Sequence, residues 1–431
     1  MSRLRAAPLL ATVLGGLAFL IAAVTAPPAA LAAAKAARAG AAQAGAPPVL
    51  PVSAAALYAP RTGQMLYGVA DERPVAIAST TKLMTALVVL EHVHRLGVMF
   101  TQNDFYPASV DSQIGLVPGE RMSVHDLLVA LMLPSADDAA EDLAYNVGHG
   151  SVARFVEMMN TEAQRLGLRH THYTTPIGLD TPGNYSTATD LVRLADYDLR
   201  HSPYFARIVA LRSAVLRTGP VRTVVNRNDL VGAVPWIDGV KTGHTGAAGY
   251  VLVAAGHRDG MSLVSAVLGT AGEGQRDAAT MSLLNYGFGQ FSVRTPVHAG
   301  QILAAPTVED RPGVHASLAA ASTLTRVLAR RARVSLKVTA PRRLTGPLPA
   351  QAALGTVVVL AAGRPIARIP LVLTHALPKV SGLTVAARFI TRPLTLALIA
   401  LAIAAATTAG ALARRRRRRG TEARPAELET A

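Results

Sequence analysis

The chain has 431 residues, half of them hydrophobic, which is enough for two domains and a sizeable core. Aromatic residues make up 4%, too few to stack the bases of a single-stranded nucleic acid. The formal charge is +16 and cysteine is absent, which excludes disulfides and leaves folding to the core alone.

In chain order, Arg3 and Arg5 precede the apolar run PLLATVLGGLAFLIAAV, then Pro27, Pro28 and AALAAA. This is the layout of a signal peptide over 1–34, with A-x-A cleavage sites at Ala30–Ala32 or Ala32–Ala34. Residues 35–48, KAARAGAAQAGAPP, read as a flexible linker. From Val52, VSAAALYAP and GQMLYGVA predict a hairpin around Arg61-Thr62-Gly63. A helix is expected from about Thr80 to His94. SVHDLLVALML opens on Ser123 and Asp126 in a capping-box pattern and stops at Pro134. Further helices are expected over about Ala136–Val147, through SVARFVEMMNTEAQRLG and through STATDLVRLADYDLR, with HTHYTTPIGLDTPGNY as a loop.

GVKTGHTGAAGYVLVAAGHRDGMSLVSAVLG then reads strand, turn, strand, turn, strand, with His257–Gly260 as the second turn. GQRDAATMSLLNYGF supplies a closing helix. Strands thus open and close the segment 49–290 while helices fill its middle. That order predicts an α/β fold with an antiparallel sheet flanked by helices, its two ends meeting in one sheet beside a helical subdomain. After Phe291, runs such as TVVVLAAG and RPIARIPLVLTH predict a small β-rich domain over 292–379.

No acidic residue lies between Asp310 and Glu422, while Arg326, Arg330, Arg331, Arg333, Lys337, Arg342 and Arg343 cluster. Such a domain suits anionic lipid headgroups or cell-wall polymers, the alternative being a solvated basic face. Pro393–Ala413 is uncharged over roughly 20 residues, enough for one transmembrane helix. Arg414–Arg419 follow at once and place 414–431 in the cytoplasm, with everything before the span facing outward.

The chemistry begins in VAIASTTKLMTALVVLEHV, where Ser79 and Lys82 stand three apart on one side of a helix. A serine attacks well only after a base takes its proton. A lysine serves as that base when apolar neighbours favour its neutral form, and Leu83, Met84, Leu87, Val88 and Leu90 follow it. The structural alternative is a capping serine beside a snorkelling lysine. Two further segments decide against it. LPSADDAA holds Ser135-Ala136-Asp137 at a helix start, and GVKTGHTG holds Lys241-Thr242-Gly243 on a strand. S-x-x-K, an S-D-N-like triplet and K-T-G in this order mark penicillin-binding proteins and class A β-lactamases.

On these motifs the chain resembles the D-alanyl-D-alanine carboxypeptidases, the low-molecular-mass penicillin-binding proteins of serine type with a β-lactamase-like fold. MNTEAQRLGLRHTHYTTPIGLDTPGNYSTATDLVRLA resembles the family's middle segment, and GYVLVAAGHRDGMSLVSAVLG its core hairpin. The likeness is strong over 49–290 and weaker over 292–379. It implies Ser79 as the acylated nucleophile, Lys82 as its base and Ser135 as a proton relay to the leaving amine. It further implies Lys241 and Thr242 as holders of the substrate's terminal carboxylate, Gly243 for close approach, and the amides of Ser79 and His244 as the oxyanion hole. The implied partners are peptidoglycan stem peptides, β-lactam antibiotics as inhibitors and membrane lipid around the C-terminal helix, with no cofactor, no metal and no nucleic acid.

One departure stands out. The family's second motif usually ends in asparagine, and here Asp137 takes that place. A carboxylate only accepts hydrogen bonds and favours a protonated Lys82. The expectation is that Asp137 is partly protonated or marks a slower enzyme, and that Asp137→Asn speeds acylation. Ser135 and Asp138 also match an ordinary capping box. His92 and His94 are two apart on a helix and face different ways, and His170 with His172 presents no third metal ligand. A β-lactamase would need an E-x-x-L-N context that Glu162 in TEAQRLGLR lacks. A catalytically weak wall-binding homologue is the other alternative.

Overall fold

The computed structural model describes residues 46–108, 111–309, 311, 313–379, 382 and 389–421. The expected signal peptide, all of the linker but its last residues, and residues 422–431 of the tail lie outside them.

The expected hairpin is formed by β1 (Ala54–Ala59) and β2 (Gln64–Val69). A 3-10 turn, Ala78–Thr81, then leads into α1 (Lys82–His92), so the regular helix starts two residues later than the sequence pattern suggests. Every residue from Lys82 to Val89 is buried, which makes α1 a central core helix rather than an amphipathic one. A two-stranded ribbon, β3 (Met99–Thr101) with β4 (Arg121–Ser123), precedes α2 (Val124–Met132). Ser123 caps α2 by accepting from the Asp126 amide, while the Asp126 carboxylate turns away to accept from the amides of Arg217 and Thr218.

Next come α3 (Asp137–Val147), α4 (Val152–Arg165), α5 (Ala188–His201) and α6 (Pro203–Val209). A hairpin of β5 (Ser213–Leu216) with β6 (Arg222–Val225) follows. The last three strands of the main sheet are β7 (Ile237–Thr245), β8 (Gly249–Arg258) and β9 (Met261–Thr270). The expected turn tightens to two residues, Asp259 and Gly260, at φ of +51° and +72°, as a right-twisted hairpin prefers. The closing helix is α7 (Glu273–Gln290).

The main sheet has the order β2-β1-β9-β8-β7 and is antiparallel throughout, so the two ends of the segment meet as expected. One core fills the space between this sheet and α1 to α6. A second lies under α7 on the other face, where Leu57, Leu252, Leu263 and Val267 meet Leu283, Leu284 and Phe288. The order leaves β7 as an edge strand, which is where the site forms.

Beyond α7 the chain is β-rich. The strands are β10 (Phe291–Val297), β11 (Ile302–Ala304), β12 (Thr307–Val308), β13 (Leu318–Ala320) and β14 (Leu324–Ala329). They continue as β15 (Val334–Thr339), β16 (Arg343–Leu344), β17 (Ala353–Ala361) and β18 (Arg364–Leu373). Five of them form a sheet in the order β11-β13-β18-β17-β15 over a core of Val357, Val359, Ile369 and Leu371. Gln64 binds both backbone groups of Val327, and Val327 itself enters the core under α7. The final helix, α8 (Pro393–Thr421), is long and apolar enough to cross a bilayer.

Candidate active site

Ser79 sits in the 3-10 turn and Lys82 opens α1 behind it. The turn begins at Ala78 with φ of +48°, a backbone that alanine adopts only under tertiary constraint. That constraint is visible. Thr80 Oγ1 donates to the Ile77 carbonyl at 2.6 Å, and Asn184 Nδ2 donates to Thr81 Oγ1 at 3.2 Å. At Gly178 an added Cβ would stand 2.1 Å from the Ala78 carbonyl oxygen, so only glycine lets this loop close on the turn.

Lys82 is 0% exposed. Its Nζ donates to Ser79 Oγ at 2.9 Å, to Asp137 Oδ1 at 2.6 Å and to the Ile177 carbonyl at 2.7 Å. Three acceptors match the three N–H groups of an ammonium. Burial pulls the Lys82 pKa below the ordinary lysine value, against the opposing push of the Asp137 carboxylate. Ile177 contributes only a backbone carbonyl, so no side-chain signature in the sequence marks it.

Ser135 lies just before α3 with φ of +66°, is 3% exposed, and its Oγ has no hydrogen-bond partner among the described residues. That backbone is wrong for an N-cap, which needs extended φ and ψ. The Ser135–Asp138 capping box does not form. The Asp138 carboxylate instead accepts from the amides of Ile114, Gly115 and Leu116, while the Asp137 amide donates to the Ser112 carbonyl at 2.7 Å. The 112–116 segment is thereby fastened to the start of α3. One turn along α3, Glu141 is largely buried, and its pKa is raised to about 7 by burial and by the Asp137 charge.

Lys241 and Thr242 are buried on β7, where Lys241 Nζ donates to the Thr242 carbonyl at 3.0 Å. Burial, then the charges of Lys82 and Arg227, hold the Lys241 pKa well below the ordinary value. At Gly243 an added Cβ would meet the Ser79 amide nitrogen at 2.8 Å, so the strand and the 3-10 turn touch through backbone. His244 is exposed and its ring stacks on Tyr250 at 4.0 Å, which leaves only its amide to consider on the strand. Asp180 accepts from Thr245 Oγ1 at 2.6 Å and from the Ala247 amide at 2.9 Å, binding the 174–185 loop to the end of β7.

The structure thus brings Ser79, Lys82 and Asp137 into one hydrogen-bonded cluster and sets Gly243 against it. A further buried cation, which the motifs do not mark, acts on Lys241 through its charge. Arg276 on α7 is 2% exposed, pairs with Glu273 at 3.0 Å and Asp277 at 2.9 Å, and keeps Nη2 without a partner among the described residues. Its charge also lowers the Lys241 pKa, so the two cations share a field. The histidines singled out in sequence have local uses: His170 meets Glu72 at 3.2 Å and His172 meets the Gly183 carbonyl at 2.7 Å.

The sequence profile described as D-alanyl-D-alanine carboxypeptidase matches residues 41–272, more than half of the chain. The chain belongs to that family. Its relatives include the D-alanyl-D-alanine carboxypeptidase of Streptomyces sp. (strain K15), 35% identical over 244 residues, which cover 53% of this chain and 84% of the relative. D-alanyl-D-alanine carboxypeptidase DacF of Bacillus subtilis (strain 168) is 28% identical across 75% of this chain and 85% of its own. Among solved structures, penicillin binding protein 5 from Haemophilus influenzae superposes with a TM-score of 0.64 at 28% identity, covering 77% of this chain and 98% of that one. The protein is accordingly a serine-type D-alanyl-D-alanine carboxypeptidase. That family membership gives the Ser79–Lys82–Asp137 cluster its chemical context, and Asp137 remains the carboxypeptidase's departure from the usual asparagine.

Proposed function

We propose that this carboxypeptidase removes the terminal D-Ala of peptidoglycan stem peptides through an acyl-Ser79 intermediate, outside the cell and anchored by α8. The observation that carries the reading is the 2.9 Å contact between Lys82 Nζ and Ser79 Oγ, with Lys82 wholly buried. The base is the neutral form of Lys82, which burial favours and the Asp137 carboxylate at 2.6 Å opposes. The neutral amine takes the Ser79 hydroxyl proton as Oγ bonds to the penultimate D-Ala carbonyl carbon. The carbonyl oxygen, now negative, accepts from the amides of Ser79 and His244. Collapse breaks the peptide bond, and Lys82 returns a proton through Ser135 Oγ to the departing D-Ala amine. Water then hydrolyses the ester and restores Ser79.

Substrate placement follows from the edge position of β7, since an extended peptide can add to a free strand edge through its main chain. Lys241, Thr242 and Arg276 hold the terminal carboxylate, for which two buried cations in one field are a natural complement. β-Lactams enter the same site as inhibitors. The apolar span Pro393–Ala413, with Arg414–Arg419 beside it, supports a single-pass anchor whose catalytic part is extracytoplasmic.

The test is intact-mass spectrometry of the protein with benzylpenicillin, beside Ser79→Ala, followed by D-Ala release from a stem pentapeptide. A lasting single adduct that the variant lacks, with D-Ala released from the peptide, is the expected result. A folded protein that gains no adduct and leaves penicillin intact overturns the acyl-serine reading and leaves a wall-binding homologue.

A further inference from the structure

The β-rich region has a sheet face that is partly open among the described residues, with an unusual make-up. In the sheet β11-β13-β18-β17-β15, Val357, Val359, Ile369 and Leu371 point to the core, so their neighbours point outward. The register sets Lys337 opposite Val358 and Val358 opposite Arg368, a lateral row of two cations about a valine. The next row sets Ser335 opposite Leu360. Lys337 and Arg368 are exposed, and neither forms an ion pair among the described residues. No acidic residue occurs anywhere from 311 to 421, so nothing in this part of the chain neutralises them. An antiparallel sheet open to water normally shows a polar outer face. Here aliphatic groups and unpaired cations alternate.

We infer that this outer face docks on the anionic headgroups of the bilayer that holds α8. The inference rests on the membrane anchoring proposed above. Phosphate-bearing lipid complements the cations, while Val358 and Leu360 suit the interfacial layer beneath the headgroups. The chain length permits it: from Lys379 to Pro393 an extended connection spans at most roughly 50 Å. A second copy of the face is a poor occupant, because Lys337 and Arg368 would meet their like charges.

The chain contains no cysteine, so single labels can be placed without background. The full-length protein is reconstituted in nanodiscs of phosphatidylcholine alone or with phosphatidylglycerol, carrying a fluorophore at Ser335→Cys or, as control, at Ser213→Cys on β5. Lipids with a headgroup quencher report proximity. Strong quenching at 335 in the anionic discs, little at 213, and loss of about tenfold or more in the 335 effect on Lys337→Glu with Arg368→Glu support the inference. Retained D-Ala release shows that the charge-reversed chain is folded. Equal quenching in both lipids, quenching indifferent to charge reversal, or label-to-label contact between copies overturns the docking while leaving the anchor intact. A chain that does not enter the discs at all overturns the anchor and the docking with it.

Discussion

Gly243 and Ser79 meet through backbone: a side chain at 243 would begin 2.8 Å from the Ser79 amide nitrogen and 2.9 Å from Val251 Cγ2. Neither neighbour is the free end of a flexible side chain, so Gly243→Ala must push β7 and the 3-10 turn apart. The expected cost is about 1–3 kcal/mol of stability, as for other overpacked sites. The larger effect falls on chemistry, because the Ser79 amide is moved with respect to β7. Thermal unfolding and the rate of penicillin adduct formation check this. A variant that melts lower yet acylates at the parental rate would show that the contact serves the fold alone.

Arg276 provides a second test, aimed at the substrate's carboxylate. Its Nη2 is buried without a partner among the described residues, and its charge acts on Lys241. Arg276→Gln is expected to lower kcat/KM for a peptide ending in a free carboxylate by about tenfold to a hundredfold, the range for a hydrogen bond to a charged group. The same peptide with an amidated C-terminus lacks the anion, so the variant and the parent should treat it alike. Equal losses on both peptides would assign Arg276 to packing through Glu273 and Asp277.

Much of this site was legible in the sequence, and the physical reasons for the remainder are specific. Ser79 and Lys82 are three residues apart, and K-T-G is a contiguous triplet, so local spacing carries them. Asp138 shows the limit. Its spacing from Ser135 fits a capping box, yet Ser135 adopts φ of +66° and Asp138 binds amides more than twenty residues away. The Ile177 carbonyl and Arg276 reach the site by tertiary packing that leaves no local pattern. The same holds for α6 and for the β3–β4 and β5–β6 pairs, which are too short to impose a period. Strand and helix order, by contrast, was readable because α1 and the two strands of the core hairpin, β8 and β9, are long apolar runs.

Glu141 links the site to stability. Its folded pKa, about 7, stands above the carboxyl value of 4.5, chiefly through burial. Between those two values the folded chain holds a proton that the unfolded chain has released, so stability declines as pH rises across the window. Glu141→Gln removes this contribution, and the gain over the parent grows by about 1.4 kcal/mol per pH unit through it. Asp142, also raised to about 7, keeps its own share in the variant. Denaturant unfolding from about pH 4 to about pH 8 measures the difference. A constant offset between the two proteins would mean that Glu141 ionises at its ordinary value.

The last test concerns the pair at the centre. Lys82 Nζ and Asp137 Oδ1 lie 2.6 Å apart, and the carboxylate raises the proton affinity that burial lowers. In the proposed mechanism the amine that accepts the Ser79 proton is therefore reached only by dissolving an ion pair. Asparagine at 137 still accepts a hydrogen bond from Lys82 but carries no charge. In Asp137→Asn the Lys82 pKa falls further, because burial then acts without the opposing charge of the carboxylate. More neutral lysine is present at a given pH, so acylation by penicillin should speed by about tenfold for each pKa unit released, until the amine is wholly neutral. The sign in pH follows: the acidic limb of the acylation profile moves to lower pH in the variant. Stopped-flow acylation across pH measures both effects. A slower variant with an unmoved limb would mean that Asp137 is needed as the acceptor of the Lys82 proton, and that the carboxylate is how this chain makes its base.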